Sequence, residues 1–214
     1  MRENPAKPRH PVCASDLVEL MSKGVADLIW LAGIVAWYGI RYPFERKARK
    51  TRVRRSLLDW REWILVASFT LGAFVIPGIF VAIGFPSTLD RPFDPAAAWL
   101  GAAVLGAALW LFRRSHADLG RNWSVTLKLR TEHAVVRTGV YRLVRHPMYS
   151  SFLLLGLAQA LLLANWFVDA AGLAGAAVLV VCRMAREEAM MLDSFGRDYR
   201  AYMERTKRII PWLI

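Results

Sequence analysis

Long apolar runs separated by arginine-dense segments constrain this 214-residue chain more than any other feature. In lipid every backbone N–H and C=O must be satisfied within the protein, so a spanning segment is a helix or part of a closed barrel. A hydrocarbon core about 30 Å thick takes about 20 apolar residues in helical form. The runs 25–44, 63–85 and 96–112 are each of about that length. A fourth, 150–182, is too long for one ordinary crossing and is interrupted by Asn165 and Trp166, which predicts a tight helical hairpin. Pro77 and Gly78 predict a kink inside the second run, tolerated where neighbouring helices satisfy the freed backbone groups.

Charge gives the orientation. Residues 41–62 hold nine Arg or Lys against Glu45, Asp59 and Glu62, and residues 113–149 hold eight against Asp118 and Glu132. The linker 86–95 has only Arg91 against Asp90 and Asp94. Basic loops stay in the cytoplasm, so both arginine-rich segments are expected there and Asp90 opposite. The expected fold is an all-α integral membrane protein of about five transmembrane helices, including a tight carboxyl-terminal hairpin, with its amino terminus outside. Residues 1–24, with Pro5, Pro8 and Pro11 and no signal-peptide pattern, read as a disordered or peripheral tail.

The net charge of +12 does not point to nucleic acid, because the charges flank apolar runs instead of forming a basic face with interleaved aromatics. Anionic lipid headgroups are the expected counter-ions. Cys13 and Cys182 are too far apart in character and position to argue a disulfide or a metal site.

Two segments carry residues suited to chemistry. The stretch 139–149 reads Gly-Val-Tyr-Arg-Leu-Val-Arg-His-Pro-Met-Tyr, directly before the hairpin. Pro147 suits a first helical turn, whose free N–H groups favour negative charge. On a plain reading Tyr141 and Tyr149 are interfacial aromatics, Arg142 and Arg145 follow the positive-inside rule and His146 caps carbonyls. At the far end of the hairpin stand Arg183, Glu187 and Glu188. Arg183 and Glu187 are four apart on one helix face, and the plain reading is a surface ion pair between them. Polar groups converging at such depth more often line a site.

The residues Leu119, Gly120, Asn122, Trp123, Ser124, Glu132, His133, Val136, Gly139 to Arg142, Arg145 to Tyr149, Asn165, Glu187, Glu188, Phe195, Gly196, Tyr199 and Tyr202 closely resemble the isoprenylcysteine carboxyl methyltransferase family. The resemblance covers the carboxyl-terminal half, with a looser likeness to membrane phospholipid methyltransferases. With the apolar spans, it divides the chain into three expected regions: the tail 1–24, three membrane helices with a basic cytoplasmic loop in 25–112, and a catalytic region 113–214. It also implies S-adenosylmethionine as cofactor, bound in a cytoplasmic pocket by His133, Ala134, Val135, Val136, Tyr141, His146, Pro147, Met148, Tyr149 and Glu187. Ala134 replaces a threonine common in the family, so any contact there is through the backbone. Arg183 looks like the residue that contacts a carboxylate acceptor. The acceptor is expected to be lipid-like or a small molecule reached from the membrane.

A carboxylate is already ionised at pH 7 and needs no general base, and a guanidinium can hold it with two hydrogen bonds. A phospholipid amine would need to lose a proton, and an amine or thiol acceptor is the alternative within the same reaction class. Two readings of other classes remain: a sterol-type NADPH-dependent membrane reductase, for which no nicotinamide subsite is identified, and a non-enzymatic adaptor binding anionic lipid.

Overall fold

A computed structural model describes residues 20–48, 53–56, 59–120, 128–130 and 135–211. Nearly all of the tail 1–24, together with His133 and Ala134, lies outside them. Helix α1 is Lys23–Ala48, α2 is Trp60–Ile83 and α3 is Pro95–Leu119. Helices α4, Pro147–Leu162, and α5, Trp166–Phe195, form the hairpin, and a short α6, Arg197–Arg205, follows. Four of these, α1, α2, α3 and α5, are long and apolar enough to cross a membrane, which makes the chain an integral, multi-pass membrane protein. The fifth, α4, is apolar but has 16 residues, about 24 Å of helix and short of a full hydrocarbon core.

One local feature departs from the all-helical expectation. Strand β1, Val53–Ser56, pairs antiparallel with β2, Lys128–Arg130, with an irregularity between Val53 and Arg55. The first arginine-rich segment therefore meets the second directly, on one side of the bundle. On the other side, the Asn165 amide donates to the Pro86 carbonyl at 2.6 Å and to Asp90 Oδ1 at 2.7 Å. The Asn165 carbonyl oxygen caps α5 by accepting from the Phe167 and Val168 N–H groups. The residue that interrupts the apolar run is thus the one that turns the hairpin.

Helix α4 is the centre of the molecule, packed along α3 and α5, with Leu155, Ala158 and Leu162 completely buried. The kink in α2 takes the form of a π turn at Leu71–Val75. Pro77 has no N–H to give to the residue four before it, and the helix loosens by one residue just ahead of it. Gln159 of α4 then donates to the Gly72 carbonyl at 3.2 Å and to the Val168 carbonyl at 2.8 Å, so a buried amide ties the loosened turn to both arms of the hairpin.

The backbones of α2 and α5 come close because their contact is made by glycines. A Cβ at Gly72 would overlap the Ala171 carbonyl oxygen, and one at Gly175 would stand 3.1 Å from the Ser68 carbonyl oxygen. Without a hydrophobic driving force between helices in lipid, such close approach is a main source of association. Gly72→Ala is therefore expected to cost about 1–3 kcal/mol through overpacking, read as a lowered unfolding temperature in detergent. Gly78→Ala, whose added methyl meets nothing within 4 Å, should leave that temperature unchanged or slightly raised.

Candidate active site

The segment before α4 is shaped by Gly139 and Asp118. Gly139 has φ +61°, and a Cβ there would collide with the Asp118 carboxylate. With only hydrogen at that place, Asp118 accepts from the Val140 N–H at 2.9 Å and pairs with Arg114 at 3.2 Å. The following 3-10 turn, Gly139–Arg142, buries Tyr141, whose hydroxyl donates to the Ser115 carbonyl at 3.4 Å. Burial, with the charge of Glu187 nearby, pushes the Tyr141 hydroxyl well above the ordinary tyrosine range, so it stays a donor. The Tyr202 hydroxyl of α6 in turn donates to the Tyr141 carbonyl at 2.5 Å.

His146 stands at the N-cap of α4 with Pro147 in the first turn, as the sequence predicts. Its side chain is not directed to open space. Glu188 Oε1 accepts from Arg145 Nε at 3.1 Å and Nη2 at 2.9 Å and meets His146 Nε2 at 3.2 Å, while Glu188 Oε2 accepts from Arg208 at 3.0 Å. Arg145 also donates to the Met203 and Thr206 carbonyls. The strap 207–209 is held alongside by the Arg145 N–H to the Lys207 carbonyl, the His146 N–H to the Arg208 carbonyl and the Ser150 hydroxyl to the Ile209 carbonyl. One buried carboxylate thereby joins the loop before α4, the end of α5 and the carboxyl-terminal strap.

Glu187, one residue earlier and partly exposed, looks elsewhere. Its Oε2 accepts from the Tyr149 hydroxyl at 2.5 Å, although the two residues are 38 positions apart. The Tyr149 ring stacks on His146, with centroids 5.3 Å apart. Beside them Arg183 Nη2 lies 3.2 Å from Glu62 Oε1 of α2, both side chains buried. One turn outward, Arg186 Nη2 pairs with Asp59 at 2.8 Å, and Asp59 caps α2 by accepting from the Glu62 N–H at 2.9 Å. That N–H, with Arg186 beside it, holds the Asp59 carboxyl below its usual range.

Of the predicted site residues, Tyr149, Glu187 and Arg183 converge, with His146 stacked behind them. Pro147 is buried and Met148 packs on the core. Val135 and Val136 are half-buried on the approach to the 3-10 turn. His133 and Ala134 fall outside the described residues. The ion pair of Arg183 runs to another helix, to Glu62, which entered the sequence reading only as a loop charge. An acid at the edge of an apolar run requires a partner, and that was its only signal. Deeper in, Tyr149 adjoins Phe152, Phe152 adjoins Phe69 and Trp37, and Trp37 stacks on Phe112 at 3.5 Å, giving an aromatic layer on the bilayer side of the cluster.

Residues 99–193 match the model of the isoprenylcysteine carboxyl methyltransferase family. Over this stretch the chain is similar to that family. A probable protein-S-isoprenylcysteine O-methyltransferase of Oryza sativa subsp. indica is 24% identical over 190 residues, 86% of this chain and 96% of that protein. Protein-S-isoprenylcysteine O-methyltransferase B of Arabidopsis thaliana is 32% identical over 99 residues, 44% of this chain and 49% of its own. Methanethiol S-methyltransferase 1 of Bradyrhizobium diazoefficiens is 33% identical over 73 residues, 34% of this chain and 25% of its own. The family match runs from within α3 to near the end of α5, so it contains Tyr149, Arg183, Glu187 and Glu188 but not Glu62. The match and the named relatives together support a membrane methyltransferase.

Glu188 and Glu187 should separate cleanly by mutation. Glu188→Ala leaves the buried Arg145 guanidinium without its counter-ion and His146 without its carboxylate partner, and is expected to destabilise the fold by about 3–5 kcal/mol, measured as thermal unfolding in detergent. Glu187→Ala should shift the same transition far less.

Proposed function

We propose that this methyltransferase moves the methyl group of S-adenosylmethionine to the carboxylate of an isoprenylated cysteine, at a site on the cytoplasmic side of the membrane. The observation that carries this reading is the convergence of Tyr149, Glu187 and Arg183 within the family-matched residues. Both arginine-rich segments lie on one side of the bundle, supporting a cytoplasmic position for that side by the positive-inside rule. The start of α4 and the Arg183–Glu188 end of α5 belong to it. The likeness to named isoprenylcysteine O-methyltransferases supports the acceptor class.

The residues present fit such a donor. The cluster sets two carboxylates, Glu62 and Glu187, against one guanidinium, Arg183, a net negative balance suited to a cationic sulfonium and its ammonium group. Glu187 would accept from donor hydroxyl or ammonium groups, and Tyr149, fixed by Glu187 and His146, would pack beside them. When bound, S-adenosylmethionine supplies a methyl group that already carries its leaving group. The protein's task is then to align the acceptor and exclude water. Arg183 would orient an acceptor carboxylate, already ionised and ready to attack. The aromatic layer of Phe152, Phe69, Trp37 and Phe112 suits an isoprenyl chain arriving from the bilayer. A thiol acceptor is the second reading, favoured by the likeness to the methanethiol S-methyltransferase.

Two variants test donor and acceptor separately. Glu187→Ala should weaken binding of S-adenosylhomocysteine about ten- to a hundred-fold by calorimetry, the loss of one or more charge-assisted hydrogen bonds. Unchanged affinity in the folded variant removes Glu187 from the donor site.

Arg183→Lys replaces a planar fork with a point charge, and should keep S-adenosylhomocysteine affinity while lowering methyl transfer to an S-farnesylated cysteine by about ten-fold or more. Methylation of a small thiol or an amine lipid in place of that carboxylate, indifferent to Arg183→Lys, would overturn the carboxylate reading.

A further inference from the structure

Glu62 is completely buried at the start of α2, in a segment outside the family match, and its charge faces Arg183 of α5 at 3.2 Å. A carboxylate that serves only as a structural counter-ion is normally wrapped in aligned hydrogen bonds, because desolvation otherwise outweighs the attraction. Among the described residues neither Glu62 oxygen accepts an aligned hydrogen bond, so the pair rests on charge and proximity. A second rung, Asp59 with Arg186, does show aligned bonds one turn outward and already fastens α2 to α5, as does the glycine seam further in. Fastening the helices therefore does not require Glu62, and its burial calls for another account.

The contact to Arg183 provides it. Glu62 lies against Nη2, one end of the guanidinium fork, and a fork approached at one end has the rotation of its plane restricted. On the reading of Arg183 as the acceptor-orienting residue, we infer that Glu62 is a positioning residue for methyl transfer: it holds the Arg183 plane at the angle at which a second, incoming carboxylate is received. Arg183 then bridges two carboxylates, one resident and one from the acceptor. Loose alignment without acceptor is expected for such a pair, since hydrogen bonds of this kind tighten in the working complex. Glu62 touches neither donor nor acceptor and acts through Arg183. Because it stands on α2, the acceptor step depends on a helix outside the family match.

The test uses the full-length protein in detergent or nanodiscs with S-adenosylmethionine and an N-acetylated, S-farnesylated cysteine. Glu62→Asp keeps the buried charge, and with it the fold, but withdraws the carboxylate by one methylene. The expected result is a rise of about ten-fold in acceptor KM with a smaller fall in kcat and unchanged affinity for S-adenosylhomocysteine. The effects of Glu62→Asp and Arg183→Lys should be markedly non-additive. An unaltered acceptor KM in folded Glu62→Asp overturns the inference, as does additivity with Arg183→Lys. Failure of the wild-type protein to methylate this carboxylate, while it binds S-adenosylhomocysteine, instead overturns the acceptor reading on which the inference rests.

Discussion

A carboxylate taken out of water has to be met by positive charge and hydrogen-bonding partners, and Glu188 meets Arg145 and His146 from one part of the chain and Arg208 from another. Arg145 and His146 precede α4, and Arg208 belongs to the strap that follows α6. That shared carboxylate draws the loop before the hairpin and the strap after it to lie together at the end of α5. Once they do, backbone pairing between Arg145 and Lys207 and between His146 and Arg208 completes the join, and Tyr202 closes it over the Tyr141 carbonyl. The position of Tyr149 against Glu187 follows from this arrangement, because the first turn of α4 starts from His146.

The membrane sets the other half of the frame. Helix α4 is the shortest and most enclosed of the apolar helices, and its one buried amide, Gln159, sits where α2 is loosened by Pro77. A proline in lipid leaves a backbone carbonyl with no partner, and a side chain from the neighbouring helix supplies one. Glycines at the same level then let α2 and α5 close, which brings Asp59 and Glu62 within reach of Arg186 and Arg183. The irregularity in α2 and the composition of the α2–α5 seam are thus linked to the charged cluster one helical length away.

What could be read from the sequence is what local periodicity and composition encode. The apolar runs place the starts of α1, α2 and α3 within three residues, Asn165 marks the hairpin turn, and Pro147 marks the start of α4. The histidine-proline-methionine-tyrosine element and the paired glutamates are legible because they are contiguous. The strap 207–209, the pairing of β1 with β2 and the partner of Arg183 were not legible, since each joins segments whose proximity is decided only when the helices pack. The five-helix expectation rested on dividing one 33-residue run in two, and the division falls unevenly, leaving α4 at 16 residues and extending α5 to 30. That asymmetry carries α5 past the apolar region, so its last turns can hold charge.

Those last turns show why two adjacent glutamates do different things. Successive residues on a helix point about 100° apart, so Glu187 and Glu188 cannot share a direction. Glu187 lies four residues after Arg183 and shares its face, toward Tyr149 and α2. Glu188 turns away from that face, toward Arg145 and the strap. Arg183 and Arg186, three apart, line up toward Glu62 and Asp59, themselves three apart on α2. The end of α5 therefore carries one face that holds the fold closed and another, next to it, that is organised for ligands. Rotating the helix by one residue would move Glu188 into the direction of Glu187 and Glu187 into that of Arg186, and the glycine seam with the Glu188 contacts opposes it.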